Sequence, residues 1–212
     1  MDIHFIEDLE RALEDELPGR SVQQLMIPYD LSQFDDLIDN GKIACVLVLL
    51  YPKGKEWHIA LLERPGNNLS DVHAGQIGLP GGRVEESDYS YQDCALRETN
   101  EELGIDQSEI GIIGELTSVF AKASNHIVYP FVGFTVNEPE FSPQKSEVER
   151  LIEMPLKDLL NPKLKKIKDI EVSSGMTLKN TPYYDFDGNT IWGVTGMILR
   201  EFEEVLLRAD LI

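Results

Sequence analysis

A chain of 212 residues is long enough for one α/β domain with a substantial core, and 42% hydrophobic with 27% charged residues is a folded composition, not a disordered or fibrous one. The net charge of −19 argues against DNA or RNA as partner, because polyanion binding relies on clustered Lys and Arg. A small phosphorylated substrate stays compatible with that charge if metal cations and a few local arginines offset the repulsion.

The N-terminus, Met1-Asp2-Ile3-His4, opens with an acid and lacks the basic-then-apolar order of a secretory signal. Residues 3–17 carry Ile3, Phe5, Ile6, Leu9, Leu13 and Leu17 near a helical period, which predicts an amphipathic helix ended by Pro18-Gly19. The longest apolar run, residues 43–51, is well short of the roughly 20 needed to cross a bilayer, so no membrane span is expected. Residues 43–50 and 58–62 read as two strands joined by a turn at Pro52-Lys53-Gly54-Lys55. Cys45, in the first of them, and Cys94, beside Ala95-Leu96, read as small buried hydrophobes rather than a disulfide. A reducing cytoplasmic location fits both the thiols and the N-terminus.

Residues 65–82, rich in Gly, Asn, Pro and Ser, predict a long functional loop with a short strand at its end. A helix over 89–103 follows, with Ala95, Leu96, Thr99 and Leu103 at helical spacing and Gly104 as its stop. Residues 110–120, 127–136 and 149–154 read as strands, and Met154-Pro155-Leu156 opens a short helix. The stretch 164–186 is ambiguous, with strands expected at 167–172 and 183–186. Residues 193–207 make a final helix through Val194, Met197, Ile198, Phe202 and Leu206.

The chemistry concentrates in Arg97-Glu98-Thr99-Asn100-Glu101-Glu102-Leu103-Gly104-Ile105. Glu98, Glu101 and Glu102 stand at i, i+3 and i+4, hence on one helical face, where they repel one another unless a cation intervenes. Hard divalent cations such as Mg2+ take clustered oxygen ligands of this kind. A Glu-rich helix alone is more often a solvated face. Here Pro80-Gly81-Gly82 ahead of it allows close backbone approach, and Arg97 can hold one carboxylate by a bidentate pair.

Residues 97–105 resemble the second half of the Nudix signature, Arg-Glu-aliphatic-any-Glu-Glu-any-Gly-aliphatic, with Thr99 at the aliphatic position. Gly82, five residues and Asp88 resemble its first half with Asp for Glu, and eight residues rather than seven then precede Arg97. That extra residue is similar to the coenzyme A pyrophosphatase-like branch. So are Leu61-Leu62, Arg64, His73-Ala74-Gly75-Gln76, Leu79-Pro80-Gly81-Gly82, Glu147-Val148, Pro155-Leu156 and Ile191-Trp192-Gly193-Val194-Thr195-Gly196. Two features depart from the branch: a loop between Arg64 and Gly75 about two residues longer, and Asp71 where a basic residue often stands.

The resemblance implies an α/β/α sandwich around a mixed β-sheet, with residues 1–40 as an N-terminal helix and connecting segment and 41–212 as the hydrolase domain. It implies a diphosphatase acting on a small-molecule nucleoside diphosphate derivative: coenzyme A or its derivatives first, with ADP-ribose, NADH or a damaged nucleotide as the alternative, and a non-catalytic nucleotide sensor as a third. Mg2+ or Mn2+ is expected on Glu98 and Glu102, with Glu101 shared between ligation and orienting water. Glu147 is the candidate general base, with Glu149 competing for the role, and Arg97 belongs to the catalytic group. Arg64 and Arg83 suit phosphate clamps, and His73, Gln76, Gly81 and Gly82 complete the expected substrate-binding set. Trp192 reads as core packing before a stacking platform. The N-terminal helix has three open roles: covering the sheet, mediating a homodimer, or gating the pocket.

Overall fold

The computed structural model describes residues 3–34, 41–67, 72–173 and 175–211; Asp71 lies outside the described residues. Among the described residues no helix is long and apolar enough to cross a membrane. The chain opens with α1 (Ile3–Glu14) and the short α2 (Arg20–Gln23), then enters β1 (Lys42–Lys53) and β2 (Glu56–Glu63). These two strands form a hairpin whose turn uses Gly54 at φ 63°. Next come β3 (Ile77–Gly78), β4 (Gly81–Arg83) and the acidic helix α3 (Tyr91–Leu103).

Strands β5 (Ile110–Glu115), β6 (Val119–Ala121), β7 (His126–Thr135) and β8 (Arg150–Pro155) complete one eight-stranded sheet. It is mixed, because β1 and β7 run parallel while every other pairing in it is antiparallel. After α4 (Leu156–Leu159), the strands β9 (Lys165–Glu171), β10 (Thr177–Phe186) and β11 (Asn189–Ile191) make a second, three-stranded sheet, and α5 (Gly193–Arg208) closes the fold.

Strand alternation along β1 divides the core in two. Cys45, Leu47, Leu49 and Tyr51 pack with Cys94, Ala95 and Leu103 of α3 on one face. Val48 and Leu50 join Ile6, Leu9 and Leu13 of α1 and Met197, Ile198 and Phe202 of α5 on the other. Helices therefore cover both faces, and the α/β/α sandwich expected from the sequence is the fold. Cys45 and Cys94 are free thiols within the first of these cores, as their apolar neighbours predict.

Several elements differ from expectation, among them β10, which starts at Thr177 rather than 183. The first helix ends at Glu14 rather than 17, since the residue before Pro18 is biased away from helical backbone. α3 starts at Tyr91 rather than 89, because Ser90 takes extended backbone and its hydroxyl accepts the Asp93 N–H as an N-cap. The strand expected over 110–120 breaks in two. A bulge falls between Ile112 and Gly114, and opposite the break Pro130 accepts the Leu116 N–H but has none to return. Finally, β11 was not expected at all; Asp187 and Gly188, both at positive φ, turn the chain back onto β10.

The N-terminal segment is joined to the body by polar as well as apolar contacts. Glu201 of α5 has no exposed surface, and its carboxylate accepts the Gly19 N–H at 3.0 Å, the Gln23 amide at 2.8 Å and the Thr117 hydroxyl at 2.6 Å. Removing that acceptor leaves buried donors unsatisfied. Glu201→Ala is expected to lower stability by about 3 kcal/mol, read as a fall in the urea midpoint.

Candidate active site

The site is built where β4 meets α3. Gly81 pairs with Val46 of β1 at φ 149°, and a Cβ there would stand 2.2 Å from the Cys45 carbonyl oxygen. Its N–H points the other way and donates to Glu102 Oε2 at 2.8 Å. At Gly82 a Cβ would come within 2.4 Å of the Glu98 carboxyl carbon. The two glycines thus let a strand backbone lie directly against two carboxylates of the helix.

Burial of those carboxylates has an electrostatic consequence. The Glu102 side chain is 3% exposed and its carboxyl is pushed up to about 8, chiefly by burial; Glu98 and Glu147 add to the rise, while the Gly81 N–H and Arg64 oppose it. Glu98 is also raised by burial, with Glu101 and Glu147 adding and Arg97 opposing. Arg64 Nη1 stands 4.0 Å from Glu102 Oε1. Glu101 is half-exposed at the rim.

Arg97 organises this face. It forms a bidentate pair with Asp88 at 2.8 and 3.1 Å, reaches Glu98 at 3.0 Å and Glu101 at 3.2 Å, and donates to the Arg83 carbonyl at 3.0 Å. The bidentate partner is therefore the Asp that replaces the usual signature Glu. Arg97 holds Asp88 below the ordinary carboxylate range, helped by the Glu85 N–H.

Glu147 arrives from a loop fastened to the C-terminal end of α3. Ser142 N–H donates to the Leu103 carbonyl at 2.8 Å and Gln144 N–H to the Glu102 carbonyl at 2.9 Å, while buried Val148 anchors the far side. The exposed Glu147 side chain contributes to raising both Glu98 and Glu102. Glu149 does neither; its N–H closes the adjacent ladder on the Glu63 carbonyl. Of the two acids weighed for the base in the sequence, Glu147 is the one whose charge reaches Glu98 and Glu102.

The Gly-rich loop is tied to the sheet edge. Arg64 N–H donates to the Gln76 carbonyl at 3.0 Å, and Gly75 N–H to the Arg64 carbonyl at 3.1 Å. His73 Nδ1 and Gln76 Oε1 are 3.1 Å apart. Arg83 does not turn to the carboxylates: its Nε donates to His126 Nε2 at 3.1 Å. Burial first, then the charges of Arg83, Lys42 and His73, holds His126 below its usual range. This basic corner was missed in the sequence, where His126 has no motif around it and Lys42 looks like a strand-end residue. Only the parallel register Lys42↔His126 brings them together.

Among the described residues, no three His, Cys, Asp or Glu side chains already stand as a coordination set. The donor chemistry nonetheless fits a hard divalent cation. Buried Glu102 and partly buried Glu98 are both raised by the charge of Glu147, and the nearest counter-charge to Glu102 among the described residues is 4.0 Å away.

A sequence model of the NUDIX domain matches residues 41–173. The uncharacterized Nudix hydrolase NudL of Yersinia enterocolitica is 31% identical over 188 residues, spanning 88% of this chain and 93% of that protein. Its namesake in Photorhabdus laumondii is 29% identical over 168 residues, spanning 79% and 87%. In fold, the chain is similar to a C. elegans Ap4A hydrolase binary complex, with a TM-score of 0.51 at 17% identity over 79% of this chain and 98% of that one. It is similar too to a MutT/nudix family protein from Enterococcus faecalis, with a TM-score of 0.50 at 16% identity over 86% and 70%.

Fold and site together define a hydrolase of pyrophosphate bonds. The chain belongs to the Nudix family.

Two outcomes check the site. Gly82→Ala should displace the Glu98 carboxylate and cost about 10²-fold in turnover of a diphosphate substrate while circular dichroism stays unchanged. Because the folded Asp88 is depressed, it contributes stability above its unfolded value near pH 4 that is lost as pH falls through the lower folded value. Acid titration of stability should therefore be shallower in Asp88→Asn than in the parent below about pH 4.

Proposed function

We propose that the protein hydrolyses the diphosphate bond of coenzyme A or its derivatives, giving a phosphopantetheine compound and adenosine 3′,5′-bisphosphate. The observation that carries the chemistry is the pair of buried carboxylates, Glu98 and Glu102, against the Gly81-Gly82 backbone with Glu147 alongside. The choice of coenzyme A rests on the branch-like residues 61–82. Their parts are joined physically by the Arg64, Gly75 and Gln76 hydrogen bonds. A small metabolite of this kind also suits a cytoplasmic enzyme.

Glu98 and Glu102 would hold Mg2+ or Mn2+, with Glu101 at the rim able to share ligation or orient water. When bound, such a cation neutralises the diphosphate and makes the attacking water more acidic. Glu147 accepts the proton of that water as its oxygen bonds to phosphorus and the bridging P–O bond breaks. Arg64 steadies a phosphate oxygen at the Glu102 edge, and Arg83 contributes positive charge through the His126 corner. Arg97 acts as a positioning residue, locking Asp88, Glu98 and Glu101 into one frame. His73 and Gln76 shape the loop that faces the substrate, and the Gly81-Gly82 backbone gives the diphosphate its close approach.

Asp71, in place of a basic residue, favours a second reading: the same chemistry on another nucleoside diphosphate derivative such as ADP-ribose or NADH. A panel of these substrates with Mg2+ and Mn2+ separates the two. The expected result is a kcat/KM for coenzyme A at least about tenfold above that for ADP-ribose or NADH. The reverse order overturns the coenzyme A assignment. Glu102→Gln and Glu147→Gln should each lower kcat by about 10² or more, and a chelator should abolish turnover until Mg2+ is restored.

A further inference from the structure

A cavity of about 550 Å³ lies between residues 72–77 and the second sheet, with Trp192 in its lining. That volume is in the ordinary range for a small-molecule site. One wall is fixed to the other by the Ser173 hydroxyl, which donates to the Val72 carbonyl at 3.3 Å. The cavity is also coupled to the reaction site. Gln76 lines it, and the Gln76 carbonyl holds the backbone of Arg64, whose guanidinium stands at Glu102.

Strand register sorts the side chains of the second sheet. The pairs Lys168↔Thr181, Lys166↔Tyr183 and Asp185↔Thr190 put Lys168, Tyr183 and Thr190 on one face of the second sheet. Lys165 and Tyr184, which both bond Glu203 of α5, occupy the other face. Asp169 and Glu171 alternate to the opposite side of β9 from Lys168 yet also line the cavity, Asp169 being engaged by the Asn180 N–H at 2.9 Å. The Lys168 ammonium donates to Thr190 Oγ1 at 2.6 Å and lies 4.5 Å from the centre of the Tyr183 ring. It makes no ion pair with a carboxylate among the described residues. By contrast Arg150, the other cation in the lining, is committed to Glu63 at 2.5 Å and to Asn189.

The lining holds Glu63, Asp169 and Glu171, of which Glu63 is taken by Arg150, and an ammonium among them that has no carboxylate partner among the described residues is placed to meet an anion. It keeps donors beyond the one given to Thr190. The half-buried Trp192 adds a flat apolar surface in the same lining, with the backbone at Gly188 leaving the floor open.

We infer that this cavity is the subsite for the nucleoside end of the substrate, with Lys168 contacting a ribose phosphomonoester and Trp192 offering a stacking surface to the base. The inference rests on the coenzyme A reading above, since on the adenosine side the 3′-phosphate is the group that distinguishes coenzyme A from ADP-ribose and NADH. It makes Lys168 a specificity determinant remote from the bond that is cut.

The test compares coenzyme A with its 3′-dephospho analogue, using the full chain with Mg2+. The parent should prefer coenzyme A by about tenfold in kcat/KM, through KM. In Lys168→Met the preference should fall to near one, and Lys168→Arg should restore most of it. A preference unchanged in Lys168→Met overturns the assignment. Calorimetry provides a readout independent of turnover: the parent should bind adenosine 3′,5′-bisphosphate about tenfold more tightly than adenosine 5′-monophosphate, and Lys168→Met should bind both alike. If the parent cleaves neither coenzyme A compound yet keeps this binding difference, the substrate reading fails and the subsite stands. Equal affinities in the parent overturn the subsite itself.

Discussion

The structure turns on how closely one strand can approach one helix. At Gly82 any side chain would occupy the space of the Glu98 carboxylate, and at Gly81 any side chain would collide with the β1 backbone. With both positions bare, β4 can pair with β1 on one side and present its amide to Glu102 on the other. The acidic helix is then pressed against the end of the sheet, and its buried face, Cys94, Ala95 and Leu103, becomes part of the core. Chemistry and packing here depend on the same missing atoms.

Such proximity concentrates negative charge where water is scarce. Arg97 absorbs part of it by binding three carboxylates and a carbonyl, and it does so from a position that is itself largely buried. Glu102 has only a backbone amide and a distant arginine, which is why its proton affinity rises furthest among the acids of the site. This imbalance separates a carboxylate that is structurally satisfied, Asp88, from two that are prepared for a further cation. The basic corner of Lys42, Arg83 and His126 supplies the opposite sign one strand away.

What could be read from the sequence follows the range of the interactions involved. The acidic face of α3 and the glycine pair are local patterns, and both sit where their spacing predicts. The two layers of the core follow from alternation in β1 and helical periodicity in α1 and α5. Element ends moved by one to three residues where a single residue decided the matter, as Pro18 and Ser90 did. The break between β5 and β6 was not legible, because its cause, Pro130, lies on another strand. Neither was the Arg83–His126 contact, which depends on the register of β7, nor the Glu201 node, whose donors lie 84 or more residues away in the chain. The second sheet was only half seen, since β9 and β10 carry mixed polar sequences and β11 exists only through the turn at Asp187-Gly188.

The loop that carries Glu147 is stapled to the last turn of α3 by two backbone hydrogen bonds, one of them to Glu102 itself. The acids of α3 and Glu147 therefore share a common frame. The register between helix and loop is thereby set by main-chain geometry and not by side-chain packing.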